Sequence, residues 1–212
     1  MFDARLKHPF SLLVSGPSQC GKSTFIFNLL QNASRLVDVQ FDYIVCFLGS
    51  DDPKLFELKN IYEPKISFVS GLPLSFDEYL NSGKNGFFVI DDLMQQATEG
   101  KHVAELFTKK CHHENVSVDL ILQNFFYHAK ERQTILRSAH YLTIFRNPLD
   151  QTVIYSLAHR IDPVHKTAVI KTFLHAQEKY RYLFIDGKQD SVPEARFRSD
   201  IFNSYQRCFI PK

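Results

Sequence analysis

A three-layer α/β domain, with a mostly parallel central sheet and helices on both faces, is the fold class this sequence predicts, and two observations predict it. Short apolar, β-rich runs alternate with stretches of helical periodicity, the order a parallel sheet demands because each parallel strand is reached through a crossover. One run, Phe87-Phe88-Val89-Ile90, is apolar at every position, as a central strand covered on both faces must be.

The elements follow in chain order. Phe10 to Val14 reads as the first strand, and Thr24 to Leu30 as a helix with Phe25, Ile26, Leu29 and Leu30 on one face. Tyr43 to Leu48 is the second strand, closed by the turn string Gly49-Ser50-Asp51-Asp52-Pro53, and Ile66 to Val69 is the third, closed by Gly71-Leu72-Pro73. The turn Asn81-Ser82-Gly83 leads into the strand Phe87 to Ile90. Val103, Leu106 and Phe107 then mark a helical core stripe before the strand Val118 to Leu122. After the strand Tyr141 to Phe145, Asn147-Pro148 reads as a helix start, with Asn147 as cap and Pro148 in the first turn. Tyr182 to Ile185 is the last clear strand. Residues 188–212 are the least periodic, and are expected to wrap the sheet edge or to be loosely ordered. No repeat, low-complexity tract or linker interrupts the chain, so one domain over 1–212 is expected.

Composition narrows the function classes. The hydrophobic share of 44% and charged share of 23% are ordinary for a globular protein, and no apolar run reaches the roughly 18 residues of a spanning helix, so no membrane association is expected. The N-terminal residues lack the apolar stretch and cleavage site of a secretory signal. An intracellular, reducing location is therefore expected, with Cys20, Cys46, Cys111 and Cys208 as free thiols. Cys111-His112-His113 has no second Cys/His pair at zinc-site spacing. The net charge of +2 is too small to draw nucleic acid to the whole surface, so any such contact must be local, with Lys109-Lys110 and Lys130-Glu131-Arg132 as candidate basic spots.

Between the first strand and the first helix lies Gly16-Pro17-Ser18-Gln19-Cys20-Gly21-Lys22-Ser23, a complete G-x-x-x-x-G-K-S phosphate loop, followed by Thr24. Glycines let the backbone curl so that successive N–H groups point at phosphates, and the helix N-terminus adds its positive dipole end. The lysine of such a loop, here Lys22, reaches the β/γ-phosphates, and the hydroxyl of Ser23 is a Mg²⁺ ligand, so ATP and Mg²⁺ are the expected cofactors. The strand Phe87 to Ile90 delivers Asp91 and Asp92 at its C-terminal end, where open α/β sheets bind ligands. Asp91 suits support of the metal and Asp92 the orientation of an attacking water, the pairing of a hydrolase. The strand Val118 to Leu122 ends in Gln123-Asn124. If it neighbours the Asp91 strand, Gln123 stands beside the γ-phosphate as a sensor; otherwise it caps a helix or satisfies a loop. Asp119 interrupts that apolar strand and needs either a partner or an exposed face.

The ordered set GPSQCGKST, FFVIDDLM, HHENVSVDLILQNFF and SAHYLTIFRNPLDQ resembles the genome-packaging ATPases of the FtsK/HerA superfamily, which have the P-loop NTPase fold. The likeness is nearest to the versions in Polinton/Maverick elements, adintoviruses and related large DNA viruses, the group of the poxvirus packaging ATPase. It runs from about Pro9 to about Phe202, with QNFF and HYLTIFRNPLDQ as its specific part. The resemblance implies a homo-oligomeric ring motor that hydrolyses ATP to drive double-stranded DNA into a capsid, which places it in the virion or in a host compartment, with capsid proteins as further partners. It also implies an arginine acting on the neighbouring subunit's nucleotide, for which Arg146, Arg132 and Arg137 are the candidates, Arg146 foremost. Here the chain departs from the family. Phe145-Arg146-Asn147-Pro148-Leu149-Asp150 stands where the family typically has Phe-Lys-Asn-Pro-Arg-Asp, Gln133-Thr134-Ile135 replaces an Arg-Thr-Ile run, and Ser138 replaces an Asn. Two other readings compete: a nucleotide-binding scaffold weakened in hydrolysis, which the altered arginines suggest, and a P-loop kinase, against which stands the lack of an Arg-rich lid.

Overall fold

A computed structural model describes residues 3–63, 65–125, 130–176 and 182–210. The chain runs β1 (Ser11–Ser15), α1 (Lys22–Gln31), α2 (Ala33–Leu36), β2 (Tyr43–Leu48), α3 (Pro53–Phe56), α4 (Lys59–Tyr62), β3 (Ile66–Ser70) and β4 (Gly86–Asp91). It continues through α5 (Met94–Glu99), α6 (Lys101–Glu105), a π turn over Leu106–Lys110, α7 (Cys111–His113), β5 (Val116–Leu122), α8 (Arg132–Ser138) and β6 (Tyr141–Phe145). The last elements are α9 (Thr152–Ile161), α10 (Lys166–Ala176), β7 (Tyr182–Asp186), β8 (Phe197–Ser199) and β9 (Arg207–Phe209).

All nine described strands join one sheet in the order β3-β2-β4-β5-β1-β6-β7-β8-β9. The pairings from β3 through β6 are parallel, and those from β6 through β9 antiparallel. The expected mostly parallel sheet is thus observed, with an antiparallel edge built partly from the tail: Phe197 pairs with both Ile185 and Phe209. Two apolar clusters cover the two faces. On one, Phe25, Ile26, Leu29 and Leu30 of α1 pack with Leu12, Val14, Ile44, Phe87 and Val89. On the other, Val103, Phe107, Ile135, Ile154 and Phe173 pack with Leu13, Phe88, Val118 and Leu120. Alternate residues of the central strands feed opposite clusters, which is why these strands are apolar at nearly every position.

The structure corrects one expectation. The helix after β6 starts at Thr152, not at Pro148. Asn147 caps only its own turn, its Oδ1 accepting from the N–H of Leu149 at 3.1 Å, and Asp150 Oδ1 accepts from the N–H of Thr152 at 2.9 Å instead. A side chain that satisfies the backbone two residues on forms a local turn that competes with helix initiation.

Asp119 finds neither a partner nor an exposed face among the described residues. It is 0% exposed in the middle of β5, flanked by Val89 and Leu12, and neither carboxyl oxygen has a hydrogen-bond partner among those residues. Burial, reinforced by the charge of Asp91, pushes its pKa well above the carboxylate range, so the side chain is held as a neutral acid. The sign of the consequence follows. The unfolded chain ionises this group above about pH 4 while the folded chain keeps the proton, so its contribution to stability is full below that pH and is lost as pH rises. Asp119→Asn removes that term. Its stability relative to the parent, measured by urea unfolding, is expected to rise between pH 4.5 and pH 7.5, by at most about 1.4 kcal/mol per pH unit. A difference independent of pH would contradict a neutral Asp119.

Candidate active site

The site lies at the C-terminal edge of the parallel strands. The segment 16–21 leaves β1 and curls through two left-handed residues, Gln19 at φ 62° and Gly21 at φ 104°, before α1 begins. The curl is close-packed: a Cβ at Gly16 would fall 2.6 Å from Phe145 Cβ and 2.7 Å from Cys20 Sγ. The N–H of Gly16 donates to Leu122 O at 3.2 Å, tying the loop to the end of β5. No side chain caps the N-terminus of α1, so its first-turn N–H groups face outward for an anion. Lys22 Nζ donates to Gly16 O at 2.8 Å and Pro17 O at 2.9 Å, which holds the ammonium at the loop's mouth.

The carboxylates come from β4, two strands away. Ser23 Oγ donates to Asp91 Oδ2 at 3.3 Å, so the first turn of α1 and the end of β4 meet. Burial and the charge of Asp52 push the Asp91 pKa up to about 6, against the lowering influence of the Ser23 hydroxyl and Lys22. Asp92 turns out of the strand at φ 57°, and its Oδ2 accepts from Ser50 Oγ at 2.7 Å. β5 pairs with β4 on one side and β1 on the other, which meets the condition set for Gln123 and puts it between the Asp91 strand and the phosphate loop.

These residues enclose a cavity of ≈ 600 Å³ lined by Ser18, Gln19, Lys22, Ser23, the turn 50–53, Asp91, Asp92, Met94, Ile121 and Gln123. Gly16, Pro17, Cys20, Gly21 and Thr24 belong to the loop or helix behind it, and Thr24 is exposed. Arg146 follows β6, is exposed, lies outside this lining, and has no hydrogen bond or ion pair among the described residues. Arg132 donates to Phe125 O at 3.4 Å, and Lys110 pairs with Asp77. Phe126 of the QNFF stretch lies outside the described residues.

The turn after β2 is the part of the site that sequence reading missed. Gly49 N–H donates to Asp91 O at 2.9 Å, and a Cβ at Gly49 would lie 2.2 Å from Asp92 O. Asp52 caps α3, accepting from the N–H groups of Lys54 at 2.8 Å and Leu55 at 3.3 Å. Alone, Gly-Ser-Asp-Asp-Pro signals a turn. Its place in the site needs the knowledge that β2 is the neighbour of β4.

A phosphate loop between strand and helix, its hydroxyl bonded to a carboxylate at the end of a parallel strand two places away, defines the P-loop NTPase fold. No protein-family model and no curated protein matches the chain. Among solved structures it is similar to the genome packaging NTPase B204 from Sulfolobus turreted icosahedral virus 2, solved in complex with ATPγS. That match has a TM-score of 0.56 and 14% identity over 86% of this chain and 94% of the other. Weaker matches are EccC (ATPases 2 and 3) of Thermomonospora curvata, with a TM-score of 0.46 and 15% identity over 65% of this chain and 30% of the other, and the KaiC-like protein PH0186 of Pyrococcus horikoshii OT3, with a TM-score of 0.42 and 15% identity over 66% and 76%. At these identities the likeness is one of fold. No helix among the described residues is long and apolar enough to cross a membrane.

Gly49→Ala tests the close approach of the two strand ends. Because the added Cβ meets backbone, a loss of about 1–3 kcal/mol in stability is expected, and denaturant unfolding measures it. A variant as stable as the parent would show that the turn retreats freely.

Proposed function

We propose that this chain binds and hydrolyses Mg²⁺-ATP and, as a homo-oligomeric ring, uses the reaction to translocate double-stranded DNA, as a genome-packaging motor of the Polinton and large-DNA-virus type does. The observation that carries the catalytic half is the convergence of Lys22, Ser23, Asp91, Asp92 and Gln123 on one cavity. The fold shared with the packaging NTPase B204, and the resemblance of the QNFF and HYLTIFRNPLDQ stretches, support the motor half. The resemblance also supports capsid proteins as partners and a place inside a host cell or virion.

The residues present fit both cofactors. Lys22 is an ammonium bonded only to neutral carbonyls, the first turn of α1 has uncapped N–H groups, and Ser23 with Asp91 forms a hydroxyl-carboxylate pair of hard oxygen donors. When bound, Mg²⁺ neutralises charge on the β- and γ-phosphate oxygens. Lys22 exchanges its carbonyl partners for phosphate oxygens, and Ser23 and Asp91 hold the cation. Asp92 accepts a hydrogen bond from the attacking water and orients it, and the Gln123 amide senses the terminal phosphate. Arg146, exposed and without a partner among the described residues, is the cation offered to the neighbouring subunit's nucleotide.

Steady-state ATP turnover, measured with and without double-stranded DNA over a range of protein concentrations, tests the proposal. Turnover is expected to be stimulated by DNA at low salt and to vanish with chelation of Mg²⁺. Lys22→Ala and Asp92→Asn should each lower kcat by about 10²-fold or more. An assembled protein without ATPase activity would leave the weakened scaffold as the better reading.

For the arginine, turnover per subunit is expected to rise with protein concentration. Arg146→Ala should lower it by about 10³-fold, while nucleotide binding stays unchanged. Flat turnover per subunit, or an Arg146→Ala variant of full activity, would remove Arg146 from this role.

A further inference from the structure

We propose that Ser50 is a positioning residue for hydrolysis: its hydroxyl anchors one carboxylate oxygen of Asp92 and thereby fixes how the other is presented to the cavity. The inference rests on the reading of Asp92 as the group that orients water. Ser50 Oγ donates to Asp92 Oδ2 at 2.7 Å, a short bond to a charged acceptor, and no other side chain hydrogen-bonds Asp92 among the described residues. Both side chains line the same cavity as Lys22, Ser23 and Gln123.

The backbone around Ser50 is held on both sides. Before it, Gly49 donates to Asp91 O and lies so close to Asp92 O that only a residue without a Cβ fits. After it, the Asp52 side chain accepts from two N–H groups of α3 and anchors the turn to that helix. Asp92 is exposed, as Ser50 is, and its left-handed backbone at φ 57° ends the strand, so nothing in the ladder dictates its side-chain rotamer. An aspartate in that position samples several rotamers in water, and a group that must orient water gains from having one selected. The donor comes from the turn that follows β2, the strand next to β4. Catalytic geometry at Asp92 is therefore set by a residue more than forty positions away in the sequence.

The test compares kcat and KM for Mg²⁺-ATP in the assembled parent protein, Ser50→Ala, Ser50→Thr, Asp92→Asn and the Ser50→Ala/Asp92→Asn double variant, with single-turnover measurements for the slowest. Ser50→Ala is expected to lower kcat about tenfold, equivalent to about 1.4 kcal/mol, while KM stays within about twofold. Ser50→Thr, which keeps the hydroxyl, should recover most of the rate. Once Asp92 is replaced, Ser50→Ala should cost less than about twofold, because the interaction it removes is already gone. An unchanged or raised kcat in Ser50→Ala overturns the proposal, a rise meaning that the contact restrains Asp92 instead. The same tenfold loss in the Asp92→Asn background also overturns it, since Ser50 would then act elsewhere. Absence of turnover in the parent protein would instead sink the hydrolase reading itself.

Discussion

The pairing of β5 with β1 on one side and β4 on the other is the constraint on which the site depends. Neighbouring strands lie about 4.8 Å apart, so one intervening strand sets the phosphate loop and the acidic strand end about 10 Å from each other. Adjacent strands would crowd the two sets of groups together, and two intervening strands would part them. At the observed spacing the first turn of α1 reaches across, and Ser23 closes on Asp91 over the end of β5. Gln123, the first residue beyond that strand, falls into the gap by position alone. The loop is locked to the same strand by the bond from Gly16 N–H to Leu122 O, and to β6 by its contact with Phe145.

The same central strand carries the least comfortable residue of the core. Asp119 lies one pleat below Asp91 on the adjacent strand, without a hydrogen-bond partner among the described residues and with its pKa pushed up by burial. An unsatisfied buried polar group costs about 1–3 kcal/mol. Asp91 is less buried, Ser23 and Lys22 act against its desolvation, and its pKa is pushed up only to about 6. The uncompensated acid thus lies inside the strand and the compensated one at its end, while the apolar clusters on both faces carry the stability that tolerates both.

Much of this was legible in the sequence where the signal is local. Strands covered on both faces are apolar throughout, so β1, β2, β4, β5 and β6 stand out, and the phosphate loop announces itself by its glycines. The signal failed where partners are distant. Phe197-Arg198-Ser199 does not read as a buried strand because it contains an arginine. Arg198 is only 2% exposed, donating to Ala4 O at 2.6 Å and lying 4.8 Å over the ring of Phe184, partners that no window of sequence reveals. Gly49 and Ser50 were legible as a turn and not as part of the site, because strand order, which makes β2 the neighbour of β4, is a property of the assembled sheet. The helix start at Thr152 was missed for the opposite reason: Asn147 has an equally good local use for its side chain.

The charges lining the cavity show why this site calls for cations from outside. Four carboxylates, Asp51, Asp52, Asp91 and Asp92, face one ammonium, Lys22, and no arginine lines the cavity among the described residues. A polyphosphate adds further negative charge. Lys22 alone cannot balance it, although exchanging two neutral carbonyls for anionic oxygens roughly doubles the strength of each hydrogen bond it makes. Under the proposed function, a divalent cation held by Ser23 and Asp91 would meet part of the deficit. The remainder needs a positive group that the described walls of the cavity do not supply. Arg146 is exposed, has no partner among the described residues and follows the strand on the other side of the phosphate loop from β4. Under the proposed function, a subunit on its own lacks that cation, and the proposed ring would supply it from a neighbour.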